Sequence, residues 1–230
     1  MTHDIIRIMR LLEFTDSTFP VGTFSFSNGL ETAAQQGLVH DAATLEQYTR
    51  SAALQAAFTD GVAALHALRA AEKGDYEGVR NADLQVILLK MNAEARQMVT
   101  RMGKKMAEMA VHIIDDEMMA RWLEDIRKEA TPGTYPIAQA ITFHACGLTA
   151  ADLFCSHQYG VVNMILSAAL RCVKVSHYDT QRILYKLSGY TQGDYEQVKV
   201  MSFDDMYAFA PQIDIMASLH EKGKMRMFMN

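Results

Sequence analysis

The chain has 230 residues and a formal net charge of -5 at pH 7, and half of its residues are hydrophobic. This length suits one large or two small domains, and the apolar fraction is enough for a hydrophobic core, so extensive disorder is not expected. The negative net charge argues against nucleic acid as the main partner. The sequence has no apolar run of about 18 residues, which argues against a membrane span. Three cysteines do not suggest a disulfide framework.

The N-terminal region lacks a basic segment ahead of a long apolar core, so we expect a reduced cytoplasmic protein rather than a secreted one. Apolar side chains recur between residues 5 and 12 and predict either a short first helix or a buried N-terminal segment, a buried lead-in to the fold. Residues 14–31 are the least helix-like stretch near the front, because Pro20 fixes φ and Gly22 admits conformations that other residues avoid. Three phenylalanines of this stretch must pack on the body or on a partner: Phe19, Phe24 and Phe26. Residues 30–36 predict a brief helix.

The middle of the chain carries the clearest helical periodicity. Thr44 to Gln47 has the spacing of a capping box, and residues 54–68 follow with an apolar stripe at every third or fourth position. The strongest run covers residues 84–113, and a single long helix is compatible with it. Gly103 would weaken such a helix by about 1 kcal/mol relative to alanine, so it predicts a bend or an end there. Residues 121–128 form a charged amphipathic segment around the only tryptophan.

Beyond residue 130 the pattern predicts further helices and no domain boundary. A breaker rich in Pro and Gly at residues 131–136 separates two halves, yet neither half shows a shift in composition. Helices are predicted at residues 137–146, 149–172 and 179–187, with only short ones after Ser188. Thr149 and Asp152 have the spacing of a capping box at the start of the second of these helices. Nothing alternates with period two over a useful length. We therefore predict an all-α fold, a single helical domain over residues 1–230 with an irregular N-terminal loop and a flexible tail at about residues 220–230.

Two pairs of soft or borderline metal ligands lie near each other in the sequence. They are His144, Cys146, Cys155 and His157, and zinc or nickel takes such ligands. Residues two apart on a helix point roughly 200° away from each other, so each pair converges only if its helix end frays. Buried cysteines also behave as small hydrophobic residues. A metal-binding helical protein is therefore an alternative function.

Sequence motifs for nucleotide binding or serine hydrolysis are absent. Gly103 precedes two lysines but lacks the upstream glycine and the hydroxyl of a P-loop, and no nucleophile elbow occurs. The serines of residues 14–31 would act as nucleophiles only beside a histidine base, which the sequence does not place. Capping or interface roles suit these serines better, and a helical enzyme centred on them is a further alternative.

Residues 17–31 contain an ordered pattern that ends in the first two residues of the helix predicted at residues 30–36. Its members are Ser17, Pro20, Val21, Gly22, Phe24, Ser25, Ser27, Gly29, Leu30 and Glu31. This pattern resembles the N-terminal signature of the urease accessory protein UreF family. Further likeness follows in the same order at Tyr135–Pro136, Ser167–Arg171, Gln181–Leu184, His220–Glu221 and Arg226–Phe228. The chain departs from the family at residues 174–177, where the family usually has Pro-Leu-Gly-Gln, and in a slightly short spacing before the final Arg-x-Phe.

The resemblance implies an all-helical fold and a scaffold in urease maturation rather than an enzyme, with no cofactor of its own. Family members pair with a second accessory protein, UreD (also called UreH), and form a dimer of such heterodimers. That assembly recruits the GTPase UreG, which carries nickel, to apo-urease. A role in regulating GTP hydrolysis has been proposed for the family.

Physical reasoning adds expected roles to the matching residues. The tail with Arg226 suits ordering on a UreD-type partner, where Phe228 would become buried. Arg171 lies among small residues and suits a close contact in a homodimer. Residues 20–31 are expected to form a stiffened surface near the GTPase or the dimer seam. The partner-binding candidates are Pro20, Gly22, Phe24, Ser25, Ser27, Gly29, Glu31, Arg171, Gln181, His220, Glu221, Arg226 and Phe228.

Overall fold

The computed structural model describes residues 2–221 and 226–228. This part of the chain consists of helices joined by turns and contains no strand. The helices are α1 (Thr2–Thr15), α2 (Leu30–Gln35), α3 (Ala42–Ala56), α4 (Val62–Glu72), α5 (Tyr76–Leu88), α6 (Ala93–Ile113), α7 (Glu117–Arg127), α8 (Tyr135–Ala145), α9 (Ala150–Cys172), α10 (His177–Ser188), α11 (Thr191–Val198) and α12 (Pro211–His220). The predicted all-α fold is confirmed.

Two apolar clusters form most of the core. The first lies where α4, α5, α6, α7 and α8 meet, around the fully buried side chains of Met106 and Trp122. The second joins α2, α3, α9, α10 and α12 around Leu30 and Ile165. α9 is the central helix, because it contributes Leu153 to the first cluster and Ile165 to the second. Burial of its apolar side chains stabilises the packing of both clusters.

Helix starts follow capping chemistry, with one difference from the prediction. Thr149 forms the predicted capping box with Asp152 at the start of α9. For α3, however, the N-cap is Asp41, whose carboxylate accepts a hydrogen bond from the backbone N–H of Thr44 at 2.9 Å. Thr44 occupies the third helical position instead of the N-cap. The helix begins one turn earlier than predicted because aspartate is a stronger N-cap residue than threonine.

The break in the long periodic run lies at a different residue from the predicted one. Residues 84–113 comprise the end of α5 and all of α6, and the chain turns at residues 89–92, where the Asn92 side chain caps α6. Gly103 lies inside α6 without ending it. A Cβ atom at this position would lie 2.1 Å from the carbonyl oxygen of Gly133. Glycine is therefore required for the close approach of α6 to the turn before α8, not for a bend.

A buried aspartate holds the turn that Gly103 approaches. Asp83 of α5 accepts hydrogen bonds from the hydroxyls of Thr131 and Thr134, at 2.7 and 2.6 Å. It also accepts from the backbone N–H groups of Gly133 and Thr134, at 2.8 and 2.9 Å. A fully buried carboxylate is unfavourable unless hydrogen bonds compensate, and four donors do so here. The breaker at residues 131–136 is thus a firmly held turn inside the fold.

We expect Asp83→Asn to lower the free energy of unfolding by about 2 kcal/mol, because the amide keeps one acceptor oxygen but turns an NH₂ group toward donors. For a chain of this size, that change corresponds to a decrease in Tm of about 4–8 °C, measurable by circular dichroism. Asp204→Asn is the control, since Asp204 is exposed, and it should leave Tm unchanged. Equal Tm values for the two variants would contradict the role assigned to Asp83.

The first helix agrees with one of its two predicted forms. α1 is helical to Thr15, but Ile5, Met9 and Leu12 are 68%, 62% and 59% exposed, so it is not a buried lead-in. Phe14 is buried in the first core cluster. α1 therefore packs on the body through one side and leaves an apolar side outside.

The central helix α9 has the length and composition of a membrane-spanning helix. Its most apolar window of 18 residues has a mean hydropathy of 1.2, and 61% of that window is buried inside the protein. Its apolar side chains thus pack against other helices of the same chain.

Candidate functional site

The segment at residues 20–31 crosses the surface and then enters the core. Gly22 has a left-handed backbone with φ of 87°, which side-chain-bearing residues rarely adopt. Phe26 is buried, and Phe19 packs edge-on against Phe14 with ring centroids 5.2 Å apart. Phe24, by contrast, is 70% exposed. The stiffened segment therefore presents one phenylalanine to solvent.

Gly29 lies where this segment touches α3 and α12. It has φ of 77°, and a Cβ atom there would lie 3.0 Å from the backbone nitrogen of Ala217 and 3.1 Å from the hydroxyl of Tyr48. The Tyr48 hydroxyl donates to the Asn28 carbonyl at 2.7 Å. Burial raises the pKa of Tyr48 well above its usual range, so the hydroxyl stays protonated as a donor. Both the backbone conformation and the close approach therefore require glycine.

A cluster of charged groups joins the segment to the C-terminal residues, and we call it the carboxylate clasp. It consists of Glu31, Glu94, His220, Arg226 and the backbone N–H groups of Met227 and Phe228. The imidazole of His220 lies between two carboxylates, with Nε2 3.0 Å from Glu31 and Nδ1 2.9 Å from Glu94. Arg226 donates to Glu94 at 3.1 Å. The two backbone N–H groups donate to Glu31 at 2.9 and 3.2 Å.

The two carboxylates and the imidazole of the clasp are buried. Glu31, His220 and Glu94 are 1%, 2% and 7% exposed. Each ring nitrogen of His220 lies within hydrogen-bond distance of one carboxylate, and Arg226 brings a positive charge to Glu94. Loss of one member would leave an uncompensated buried charge, so the clasp is stable only as a complete unit.

The described tail residues correct the prediction that Phe228 becomes buried only on a partner. Phe228 is 6% exposed and belongs to the second core cluster of its own chain. The guanidinium of Arg171 lies over its ring, 5.3 Å from the centroid. Residues 222–225 and 229–230 of the predicted tail lie outside the described residues. Docking of the tail on a UreD-type protein and contact of Arg171 with a second copy stay predictions.

Glu221 supports the clasp from the adjacent turn. One of its carboxylate oxygens accepts from the backbone N–H groups of Ala93 and Glu94, at 3.1 and 3.4 Å. These groups form the N-terminus of α6, where the helix dipole favours a negative charge. Glu221 thereby links the end of α12 to the helix that carries Glu94.

The structure brings part of the candidate set together. Glu31, Arg171, His220, Arg226 and Phe228 meet at the clasp, with Glu221 beside it. Pro20 and Phe24 are exposed, Gln181 is exposed on α10, Ser25 is half-buried and Ser27 is fully buried. Sequence reasoning missed Glu94 and Tyr48, since polar residues of amphipathic helices are usually solvent-facing. Neither residue belongs to a local motif that could have singled it out.

The four candidate metal ligands do not come together as a site. Among the described residues, no group of three or more His, Cys, Asp or Glu side chains could hold a metal ion. Cys155 is exposed whereas His157 is 4% exposed, as expected for residues two apart on α9. Burial raises the pKa of the Cys146 thiol, which disfavours the thiolate that binds metals. The metal-binding alternative, which also includes His144, therefore has no support in the described part of the chain.

Comparison with known proteins gives the family. The UreF family profile matches residues 39–188 of this chain. The chain belongs to the UreF family. It is similar to the urease accessory protein UreF 2 of Brucella canis, with 46% identity over 223 residues, covering 97% of this chain and 92% of that protein. It is also similar to the urease accessory protein UreF of Yersinia pseudotuberculosis serotype IB, with 42% identity over 227 residues, covering 99% and 98%.

The similarity to the Yersinia protein also covers the positions of the candidate site. The range that the family profile matches, residues 39–188, excludes both the N-terminal segment and the C-terminal part of the clasp. The alignment with the Yersinia UreF protein, however, covers 227 residues and so includes Glu31, Glu94 and His220. The resemblance found in residues 17–31 is thus confirmed as membership of the UreF family.

Proposed function

We propose that this chain is a non-enzymatic scaffold in urease maturation. The observation that carries the proposal is the identity of 42–46% over nearly the full length to proteins named urease accessory protein UreF. The scaffold acts in the cytoplasm and works by holding other proteins together. The nickel of urease is cargo of the complex, and this chain contributes no cofactor of its own.

The proposed partners are a UreD/UreH-type accessory protein, the GTPase UreG and apo-urease. This chain forms a homodimer, binds the UreD-type protein and recruits UreG, whose GTP hydrolysis it regulates. Two features support a scaffold role. The clasp fixes the C-terminal residues against the N-terminal segment, which preorganises both for binding. The exposed Phe24 beside Pro20 offers an apolar anchor of the kind that protein interfaces use.

The proposed function is tested by affinity capture of the tagged full chain from urease-expressing cells. We expect the UreD-type protein, UreG and urease subunits to be captured together, and we expect cells lacking the chain to produce urease with little nickel. Normal nickel content in the urease of such cells would overturn the proposal. Turnover of a substrate by the purified chain alone would instead favour the enzyme alternative.

Phe24→Ser should reduce capture of UreG about tenfold, because loss of an exposed aromatic anchor weakens an interface by roughly 1–2 kcal/mol. The Tm should not change, since the Phe24 side chain is 70% exposed in the free chain. Leu38→Ser is the matched control, because Leu38 is 54% exposed and lies outside the segment at residues 20–31. Equal UreG capture by both variants would show that Phe24 is not part of the surface that binds UreG.

A further inference from the structure

The outer side of α1 carries a row of exposed apolar side chains. Ile5, Ile8, Met9 and Leu12 recur at every third or fourth position, which is the spacing of one face of a helix. Together with Ile6 on their flank, they are between 47% and 68% exposed, and we call these five residues the α1 stripe. Single exposed apolar side chains are common on protein surfaces, whereas a contiguous group of them marks a place where another surface packs.

Two cations of α1 attach the helix to the body of the protein. Arg7 forms an ion pair with Asp152 at the start of α9, and Arg10 donates to the carbonyl oxygen of Cys146 at 3.2 Å. An amphipathic helix on a protein surface normally turns its charged residues to solvent and its apolar residues to the core. Since α1 uses these charges for attachment and exposes the stripe, packing within its own chain does not account for the stripe.

Further contacts fix the position of α1. Phe14 is buried in the first core cluster, and the hydroxyls of Thr15 and Ser156 share a hydrogen bond of 2.7 Å. The anchoring carboxylate of Asp152 also accepts from the backbone N–H of Thr149 at 2.8 Å, so it is held in place itself. The α1 stripe is therefore preorganised on the surface, which lowers the entropic cost of binding another surface.

The area of the α1 stripe is large enough for a dimer interface if each of two copies contributes it. The five side chains leave roughly 600 Å² of apolar surface exposed on one copy, the upper end of what a monomer shows in a single patch. Two copies would bury roughly 1,200 Å² in total, which is more than the ~1,000 Å² expected of a specific interface.

The α1 stripe is also complementary to a second copy of itself. When two α1 helices lie antiparallel about a two-fold axis near Ile8 and Met9, Ile5 of one copy lies opposite Leu12 of the other. Every contact along the stripe then joins two apolar side chains, since positions 5, 8, 9 and 12 carry no charge. Homodimer interfaces are more apolar than other protein interfaces, and this composition matches them.

We propose that two copies of this chain associate through their α1 stripes. This inference rests on the homodimer of the proposed function and names the surface that forms it. The competing surface is the one around Arg171, which the sequence suggested for a dimer contact. The guanidinium of Arg171, however, already lies over the ring of Phe228 in its own chain.

Analytical ultracentrifugation of the purified full chain tests the proposal. The unmodified chain should sediment as a dimer at about 10 µM, with a Kd on the order of 1 µM or below. Met9→Glu should raise this Kd about 100-fold or more without loss of helix content, because it places an unpaired charge in an apolar contact. Met91→Glu is the matched control and should stay dimeric, since Met91 is 67% exposed and lies outside α1. A monomeric unmodified chain, or a dimer that persists in Met9→Glu, would overturn the proposal.

Chemical cross-linking locates the contact between the copies. In a Cys155→Ser background, which removes an exposed thiol, a short bis-maleimide should join Met9→Cys chains into covalent dimers. The Met91→Cys chain in the same background should give few of them. Equal yields would contradict a contact through α1. Arg171→Ala should stay dimeric, and a monomeric Arg171→Ala together with a dimeric Met9→Glu would assign the interface to the Arg171 surface instead.

Affinity capture with the same variants distinguishes a second copy from a different partner. If the unmodified chain is monomeric and Met9→Glu loses capture of the UreD-type protein, the α1 stripe binds that protein and the proposal is overturned. The oligomeric state is measured on the purified chain alone. Failure of the dimer proposal therefore leaves the nickel test of the urease-related function intact, and failure of that test leaves the dimer measurement intact.

Discussion

Gly103→Ala is expected to lower the free energy of unfolding by about 3 kcal/mol. The added Cβ atom would lie 2.1 Å from the Gly133 carbonyl oxygen and 2.5 Å from the Thr134 carbonyl carbon. Both are backbone atoms, and the hydrogen bonds of Asp83 hold their turn in place. The overpacking penalty therefore exceeds the gain of about 1 kcal/mol that alanine has over glycine inside a helix. Thermal unfolding should show a Tm lower by about 6–12 °C.

The control for this substitution is the same change in a helix with open space. Gly193 lies in α11, and a Cβ atom there would meet nothing within 4 Å. Gly193→Ala should leave Tm unchanged or raise it slightly, because only the helix propensity changes. If Gly103→Ala unfolds at the same temperature as Gly193→Ala, α6 and the turn at residues 131–136 do not approach as closely as described.

Glu31→Ala should have the second large effect, a loss of about 3–5 kcal/mol in the free energy of unfolding. His220 would lose the partner of one ring nitrogen, and the N–H groups of Met227 and Phe228 would lose their shared acceptor. Breaking a buried ion pair by removing one member is strongly destabilising. The Tm should fall by about 6–20 °C, and affinity capture of the UreD-type protein should be lost with the displaced C-terminal residues.

Glu46→Ala is the matched control for the clasp. Glu46 also pairs with a distant cation, Lys186, but the two side chains are 29% and 55% exposed. Exposed pairs contribute little to stability, so Tm and partner capture should stay close to those of the unmodified chain. Equal Tm values for Glu31→Ala and Glu46→Ala would show that the clasp does not hold the C-terminal residues. Loss of stability with partner capture retained would separate the clasp from binding.

The local features of the sequence predicted the helices well, and individual residues show where such prediction ends. The Thr149 capping box and the helix to Cys172 are as expected, because a cap and an apolar stripe are set by neighbours within a few positions. The bend or helix end predicted at Gly103 is wrong, since glycine is required there by a turn about thirty positions away in the chain. The expectation that Phe228 becomes buried on a partner is wrong, because a short C-terminal stretch does not reveal which surface of its own chain it covers.

By itself, the sequence determined the all-helical fold and the likeness to the UreF family, since helix periodicity and the motif at residues 17–31 depend on short spacings. Only the tertiary structure decided which charges meet. It joined Glu31 to His220 across 189 positions, added Glu94 between them, and left the apolar stripe of α1 exposed. Such groupings depend on the relative packing of α2, α6, α9 and α12, and helix periodicity contains no information about which helices pack together.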